Sequence, residues 1–282
     1  MTKVAIVTDS TVNLPQSLVD QYSITVLSQT LVWDNQVYRD LIDIQPDEFY
    51  ERLAHSKTIP TTAQVTPDAF KNTFSALLER GYAILAILIS PKLSGTVSSA
   101  LQAKEAFPGA PIEIFDSDSV SLAMGYPVLM AARAAAKGAS PAECLALAEQ
   151  ARQRSGVYFV VDTLEFLHRG GRIGGGARFL GTALNLKPIL EVRNGRVEAI
   201  ERVRTQRKAF NRLLEIVAAR VSGSQPIRLG ILDAKAPESA QYMREQVEHI
   251  FHPEELISSP VSPVIGAHAG PGTIGIAFLT GM

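Results

Sequence analysis

The side chains in this sequence best placed for chemistry are hydroxyls. Thr61 and Thr62 stand side by side in Ile59-Pro60-Thr61-Thr62-Ala63-Gln64. Either could donate a hydrogen bond to a carboxylate, and either could instead cap the helix that the pattern starts near Pro67. On an extended segment neighbouring side chains point opposite ways, so only one of the two faces any ligand. Ser94 lies in Leu93-Ser94-Gly95-Thr96, after the most apolar run of the chain and before a helix. Strand, glycine-containing loop, helix is the place where α/β sheets bind ligands. Free backbone N–H groups and the helix dipole favour an anion there. Ser94 suits a ligand donor and a helix N-cap equally well. Neutral donors would hold an anion without locking it in a salt bridge.

Two further strings invite a functional reading. Gly170-Gly171-Arg172-Ile173-Gly174-Gly175-Gly176 looks like a phosphate loop, but it lacks the Gly-Lys-Ser/Thr ending and the G-x-G-x-x-G spacing. Arg169, Arg172 and Arg178 make it basic, which suits docking or phosphate contact. His268 sits among small residues in Ile265-Gly266-Ala267-His268-Ala269-Gly270-Pro271-Gly272, where it suits a site or a structural role. The histidines at 55, 168, 249, 252 and 268 make no metal spacing. There is no G-x-S-x-G elbow. No catalytic set, metal ligand or cofactor site is assigned.

The elements that must position these residues alternate. Val4 to Val7 and Ala83 to Ile89 read as buried strands, Ile24 to Val32 as a second strand and Ile112 to Phe115 as another. Helical patterns follow to about Tyr22, over Pro46 to His55, Thr66 to Arg80, Thr96 to about Phe107, Ser119 to Lys137 and Pro141 to Arg154. Strands alternating with helices predict a parallel sheet covered by helices. After Gly156 the pattern changes. Val157 to Val161 is apolar, and the glycine run leads into a helix ending near Leu186. Pro188 to Val192 and Val197 to Val203 flank Arg193-Asn194-Gly195, a hairpin signal. Helices over Arg207 to Arg220 and Pro237 to Ile250 and strands over Ile227 to Leu232 and Thr273 to Leu279 complete the chain. The expected fold is α/β: an N-terminal parallel-sheet domain over 1–155 and a C-terminal α+β domain with a mixed or antiparallel sheet over 156–282.

With 282 residues, two domains of ordinary size are the natural division. Lys plus Arg is 27 and Asp plus Glu is 28, so the basic excess expected of a nucleic-acid binder is missing. Charge is nevertheless uneven: residues 165–208 carry ten Lys/Arg against four Asp/Glu. That stretch is either a solvated face or a docking surface for an anion or an acidic partner. No apolar run approaches a membrane span, and Cys144 is the single cysteine. The expectation is a cytoplasmic protein without membrane insertion.

Seven strings taken together resemble the DegV family of bacterial fatty-acid-binding proteins: VTDSTVNLP from Val7, IPTTAQ from Ile59, LSGT from Leu93, FDSDS from Phe115, TLEFLHRGGRI from Thr163, RTQRKA from Arg204 and IGAHAGPG from Ile265. They span nearly the whole chain, and the nearest functional class is the FakB component of fatty acid kinase. The resemblance implies a non-catalytic carrier that buries a long-chain fatty acid, palmitate- or oleate-like. It implies a carboxylate held by Thr61 or Thr62 and by the Ser94, Gly95 and Thr96 string, with His268 nearby. It implies that Arg172, with Arg169 and Arg204, meets a FakA-like fatty acid kinase, which supplies the ATP chemistry and forms the acyl phosphate of phospholipid metabolism. Pro91-Lys92 before LSGT, where serines are common in relatives, and the glycine-rich Gly174–Gly176 depart from the family pattern. A stand-alone acyl hydrolase and a regulatory small-ligand-binding module are the rival readings.

Overall fold

The structure, a computed structural model, describes residues 3–174 and 186–282. The body of the helix expected before Leu186, with Gly175, Gly176 and Arg178, lies outside the described residues.

The chain opens with β1 (Val4–Asp9), a short 3-10 turn over Ser10–Val12, α1 (Gln16–Gln21) and β2 (Thr25–Leu27). A small antiparallel sheet follows from β3 (Thr30–Trp33), β4 (Gln36–Arg39) and, after α2 (Pro46–His55), β5 (Thr61–Ala63). The single strand expected over Ile24 to Val32 is therefore two, in different sheets. Next come α3 (Pro67–Glu79), β6 (Ala83–Leu88), α4 (Thr96–Lys104) and β7 (Ile112–Asp116). Strands β2, β1, β6 and β7 form, in that order, the expected parallel sheet. The chain moves from β1 to β2 on one side and later to β6 on the other. The gap between the carboxyl ends of β1 and β6 is thus a topological switch point, where such sheets bind ligands.

Helices α5 (Ser121–Ala136) and α6 (Pro141–Arg154) lead to a mixed six-stranded sheet. Its strands are β8 (Ser155–Val160), β9 (Lys187–Arg193), β10 (Arg196–Val203), β11 (Ile227–Asp233), β12 (Glu255–Pro260) and β13 (Ile274–Thr280), in the order β10-β9-β8-β13-β11-β12. The Asn194-Gly195 hairpin forms as the sequence signals. Only β11 and β12 run parallel. Helices α8 (Gln206–Val221) and α9 (Pro237–Phe251) join these strands, and the short α7 (Glu165–Arg169) and α10 (Pro263–Ala269) stand at the sheet's rim.

Period-2 burial explains the layering. On β1 and β6, Val4, Ile6, Leu85 and Ile87 face one way, while Ala5, Val7, Ile84, Ala86 and Leu88 pack with Phe70, Phe74 and Leu77 of α3. On β11 and β13, Leu229, Ile231, Ile274 and Ile276 meet Leu213 and Val217 of α8 and Met243 and Val247 of α9. The other faces of both sheets share one core with α5, which is buried nearly all round between them. Local caps fix the helix starts: Thr66 accepts from the Ala69 N–H, and Ser140 and Glu143 form a capping box. Among the described residues, no helix is long and apolar enough to cross a membrane.

Candidate functional site

A cavity of about 430 Å³ opens between the carboxyl ends of β1 and β6, the inner face of the six-stranded sheet, and α10. Its walls are mostly apolar, from Ile89, Val157, Phe159, Leu232 and Val264 among others. One end is polar, and the sequence-chosen residues gather there. Thr62, Ser94, Gly95, Arg172 and His268 all line the cavity. Arg172 is the sole charged side chain among the described lining residues at neutral pH.

Each is held by a different element. Thr62 lies on β5, opposite Leu31 of β3, and its Oγ1 is 2.8 Å from His268 Nε2 on α10. Strand alternation turns Thr61 away: it is exposed and does not line the cavity. The helix beginning at Pro67 is capped by Thr66, so neither Thr61 nor Thr62 is its cap. Nor is Ser94 an N-cap. Helix α4 has Gly95 at that position without a side-chain cap, and Ser94 Oγ lies 2.9 Å from Thr96 Oγ1. Thr96 itself is fully buried behind Ser94. Thr62 and Ser94 thus line the cavity, and neither caps a helix.

His268 is the site's unusual group. Its Nδ1 is buried with no hydrogen-bond partner among the described residues. Gly170 backs directly onto that atom, and a Cβ at position 170 would overlap it. Burial first, and the neighbouring Arg172 charge second, push its pKa down to about 4. The ring is therefore neutral at pH 7. With the proton on Nε2, the unpaired Nδ1 is a bare acceptor; the opposite tautomer would bury an orphan N–H, which folded proteins avoid more strictly. In the Nε2–H tautomer the ring donates to Thr62 Oγ1 and leaves the Thr62 hydroxyl proton free to point into the cavity.

Arg172 is tied down on both sides. Although it lies in a glycine-flanked loop, it is half-buried, its Nε donating to the Leu93 carbonyl at 3.1 Å and Nη1 to the Gly170 carbonyl at 2.7 Å. These bonds tie the GGRI string to the LSGT string across the mouth of the cavity. Arg169 and Arg204 are exposed and outside the cavity, Arg169 paired with Glu165 at 2.6 Å.

The profile of the family described as "Uncharacterised protein, DegV family" matches residues 3–281. The chain belongs to the DegV family. A DegV domain-containing protein from Deinococcus radiodurans is 35% identical over 276 residues, 98% of each chain. Among solved structures, a DegV-family protein from Thermus thermophilus, described for its fatty acid binding, is 37% identical and superimposes with a TM-score of 0.94 over 99% of this chain and 100% of its own. DegV from Bacillus subtilis, described as a fatty acid binding protein, is 31% identical with a TM-score of 0.90 over 99% and 100%. The family resemblance of the seven strings and the α/β architecture are both borne out.

Sequence reasoning missed several parts of this DegV site. Asp9, fully buried at the end of β1, gathers N–H bonds from Ile89 and Thr11 and the Gln29 side-chain amide, and so fixes the switch point. Asp40, also buried, accepts from the Val264 N–H at 3.1 Å and holds the start of α10. Asp9 sits in the VTDS string, a legible signal; Asp40 has none. Among the described residues, arrangements for hydrolysis do not assemble. His268 pairs with Thr62 rather than Ser94, no carboxylate orients its Nδ1, and its low pKa makes it a weak base.

Proposed function

We propose that this protein is a fatty-acid carrier that buries an acyl chain in the cavity and presents its carboxylate, at the Thr62–His268–Ser94 end, to a separate FakA-like kinase. The observation that carries the reading is the cavity itself: a mostly apolar space with hydroxyls, a neutral imidazole and one guanidinium gathered at its polar end, in a chain whose structural relatives are described as fatty-acid-binding. Its volume falls in the usual range for small-molecule pockets, about 300–1,000 Å³. The carboxylate accepts from the Thr62 and Ser94 hydroxyls and the Gly95 N–H. Held by these, the oxygen that must attack the phosphorus keeps its charge and its lone pairs. Thr61 has no part in this, and Thr96 acts through Ser94.

Arg172 has two possible duties within this reading. It lines the cavity, where it can steer the carboxylate, and it sits with Arg169 in the basic stretch that, with Arg204, would face the kinase. Native mass spectrometry of the purified protein tests the carrier: the expected result is added mass equal to a long-chain acid. A clean apo mass with no uptake of oleate or palmitate would sink it. For the partner, lipid content and kinase titration are measured together on Arg172→Ala. Retained lipid with a raised kinase requirement supports docking, with the loss expected at about 2 kcal/mol, roughly thirtyfold. Lost lipid assigns Arg172 to the carboxylate alone. Unchanged values in both remove it from the mechanism.

A further inference from the structure

The main cavity carries a second group of polar side chains. Thr11, in the 3-10 turn after β1, Gln29, just before β3, and Ser121, at the start of α5, line the same space as Thr62 and Ser94. Their hydrogens are largely committed elsewhere. Thr11 Oγ1 donates to Asp9 Oδ1 at 2.5 Å, and Gln29 Nε2 donates to the same oxygen at 3.2 Å. Ser121 Oγ donates to Asn13 Oδ1 at 3.2 Å. A hydroxyl has one hydrogen and two acceptor lone pairs. What Thr11 and Ser121 offer the cavity is therefore lone pairs, and Gln29 Oε1, which has no hydrogen-bond partner among the described residues, adds another acceptor. Ser121 holds its place at a φ of 59°, in the left-handed region where a serine is strained and a glycine would not be.

Register and hydrogen bonds place these acceptors beside the head. Leu31 of β3 pairs with Thr62 of β5, and Gln29, two residues before Leu31, lies on the same face. Such a diagonal separates Gln29 from Thr62 by about 7–8 Å. The Ser90 N–H donates to the Ser119 carbonyl at 2.9 Å, which holds the start of α5 against the loop that carries Ser94. A carboxylate bound at Thr62 and Ser94 thus has the first carbons of its chain within reach of the acceptors. The carboxylate itself does not suit them, because its oxygens carry no hydrogen and would meet lone pairs backed by Asp9.

We propose that the cavity selects a fatty acid bearing a hydroxyl close to its head, a 2- or 3-hydroxy acid, whose O–H donates to the lone pairs of Thr11, Gln29 and Ser121. This rests on the fatty-acid reading above and names the class of acid within it. A plain acyl chain sets methylene groups against these acceptors and strips them of water with nothing in exchange. A ligand hydroxyl restores the donor. Thr11, Gln29 and Ser121 are then specificity-determining residues, while Thr62 and Ser94 hold the carboxylate common to every acid.

The experiment loads the protein from an equimolar mixture of palmitate, 2-hydroxypalmitate and 3-hydroxypalmitate, then extracts the bound acids and quantifies them by mass spectrometry. In wild type, one of the hydroxy acids should exceed palmitate on the order of fivefold, the worth of one neutral hydrogen bond. Ser121→Ala and Thr11→Val, each checked by circular dichroism, should bring that ratio toward one. Thr11→Ser, which keeps the hydroxyl, should retain it. The ratio is read within one protein, so a general loss of affinity in a variant cancels. A wild type that binds palmitate as well as both hydroxy acids would overturn the hydroxyl selection and leave the carrier reading intact. So would a preference that survives in every folded variant lacking a hydroxyl. A wild type that takes up none of the three acids would overturn both.

Discussion

The polar head of the main cavity and its sheet wall are built on opposite principles. The head is assembled from single residues on four separate segments, Thr62 on β5, Ser94 before α4, Arg172 after α7 and His268 on α10, joined by hydrogen bonds. The sheet wall is one continuous surface, the alternate inward residues of adjacent strands, with Val157 and Phe159 on β8 and Gly275 on β13. A chain of about fifteen methylenes buried at about 0.8 kcal/mol each offers on the order of 12 kcal/mol of gross affinity. A hydrogen bond to the charged head adds about 1.5–3 kcal/mol. The difference implies a division of labour: the wall holds the ligand and the head orients it.

Filling the wall should therefore produce the largest loss. Gly275 lines the cavity, and a Cβ there would meet nothing closer than 3.4 Å, so a side chain can enter the space without displacing the backbone. Gly275→Phe would take the room of about six methylenes, about 5 kcal/mol or several thousandfold in affinity. Loss of bound lipid with an unchanged circular dichroism spectrum is the expected outcome. A folded variant that still purifies with the wild-type complement of acid would break the division at its stronger end.

At the head, Thr62→Ala and Ser94→Ala should each weaken lipid retention by about 1.5–3 kcal/mol while reducing acyl phosphate formation much more steeply. Paired assays of lipid content and kinase-dependent phosphorylation separate the two effects. Equal losses in both would mean that these hydroxyls contribute binding energy and no orientation.

Head and wall were not equally legible in the sequence. The head could be read as strings, because Thr62, Ser94 and His268 each stand in a distinctive local context, and the long runs of β1 and β6 announced the parallel sheet. The wall could not be read, since Val157, Val192 and Gly275 are ordinary strand residues whose role comes only from sheet register. The small sheet of β3, β4 and β5 was equally hidden: its strands are three or four residues long, too short for a period to show. The burial of Arg172 was hidden for a related reason. A glycine-flanked arginine looks exposed, and only the approach of Leu93 from a distant loop half-buries it.

The neutral state of His268 sharpens the picture of the head. Its folded value of about 4 lies below its ordinary 6.5, so as pH falls the unfolded chain takes the proton first. Stability from this group is complete above about pH 6.5 and is lost between there and about pH 4, by about 2 kcal/mol once solvent at the partly open ring is allowed for. Asp40 acts in the opposite sense. Burial raises its pKa to about 7, so it adds stability as pH falls from about 7 toward 4. The wild-type curve sums these and other groups, and the difference between wild type and His268→Gln isolates the ring. In urea unfolding at pH 7 and pH 4.5, the stability of wild type relative to the variant should shrink at the lower pH. A pH-independent difference would show that the ring is not held neutral by its surroundings.

The smallest effect is expected one residue from one of the larger ones. Thr61 and Thr62 are chemically identical and adjacent on β5, and the pleat alone separates their roles. Thr62 Oγ1 meets His268 Nε2 inside the cavity, whereas Thr61, opposite Val32 of β3, is exposed on the other face. Thr61→Ala removes a hydroxyl that already has water, so stability should move by less than about 0.5 kcal/mol. Lipid content and phosphorylation should match wild type, against clear losses for Thr62→Ala in the same assays. Because both changes alter β-propensity equally in the same short strand, any shared strand effect cancels in the comparison. A phosphorylation defect in Thr61→Ala as deep as that of Thr62→Ala would mean that the strand, rather than the hydroxyl facing the cavity, is what the head requires.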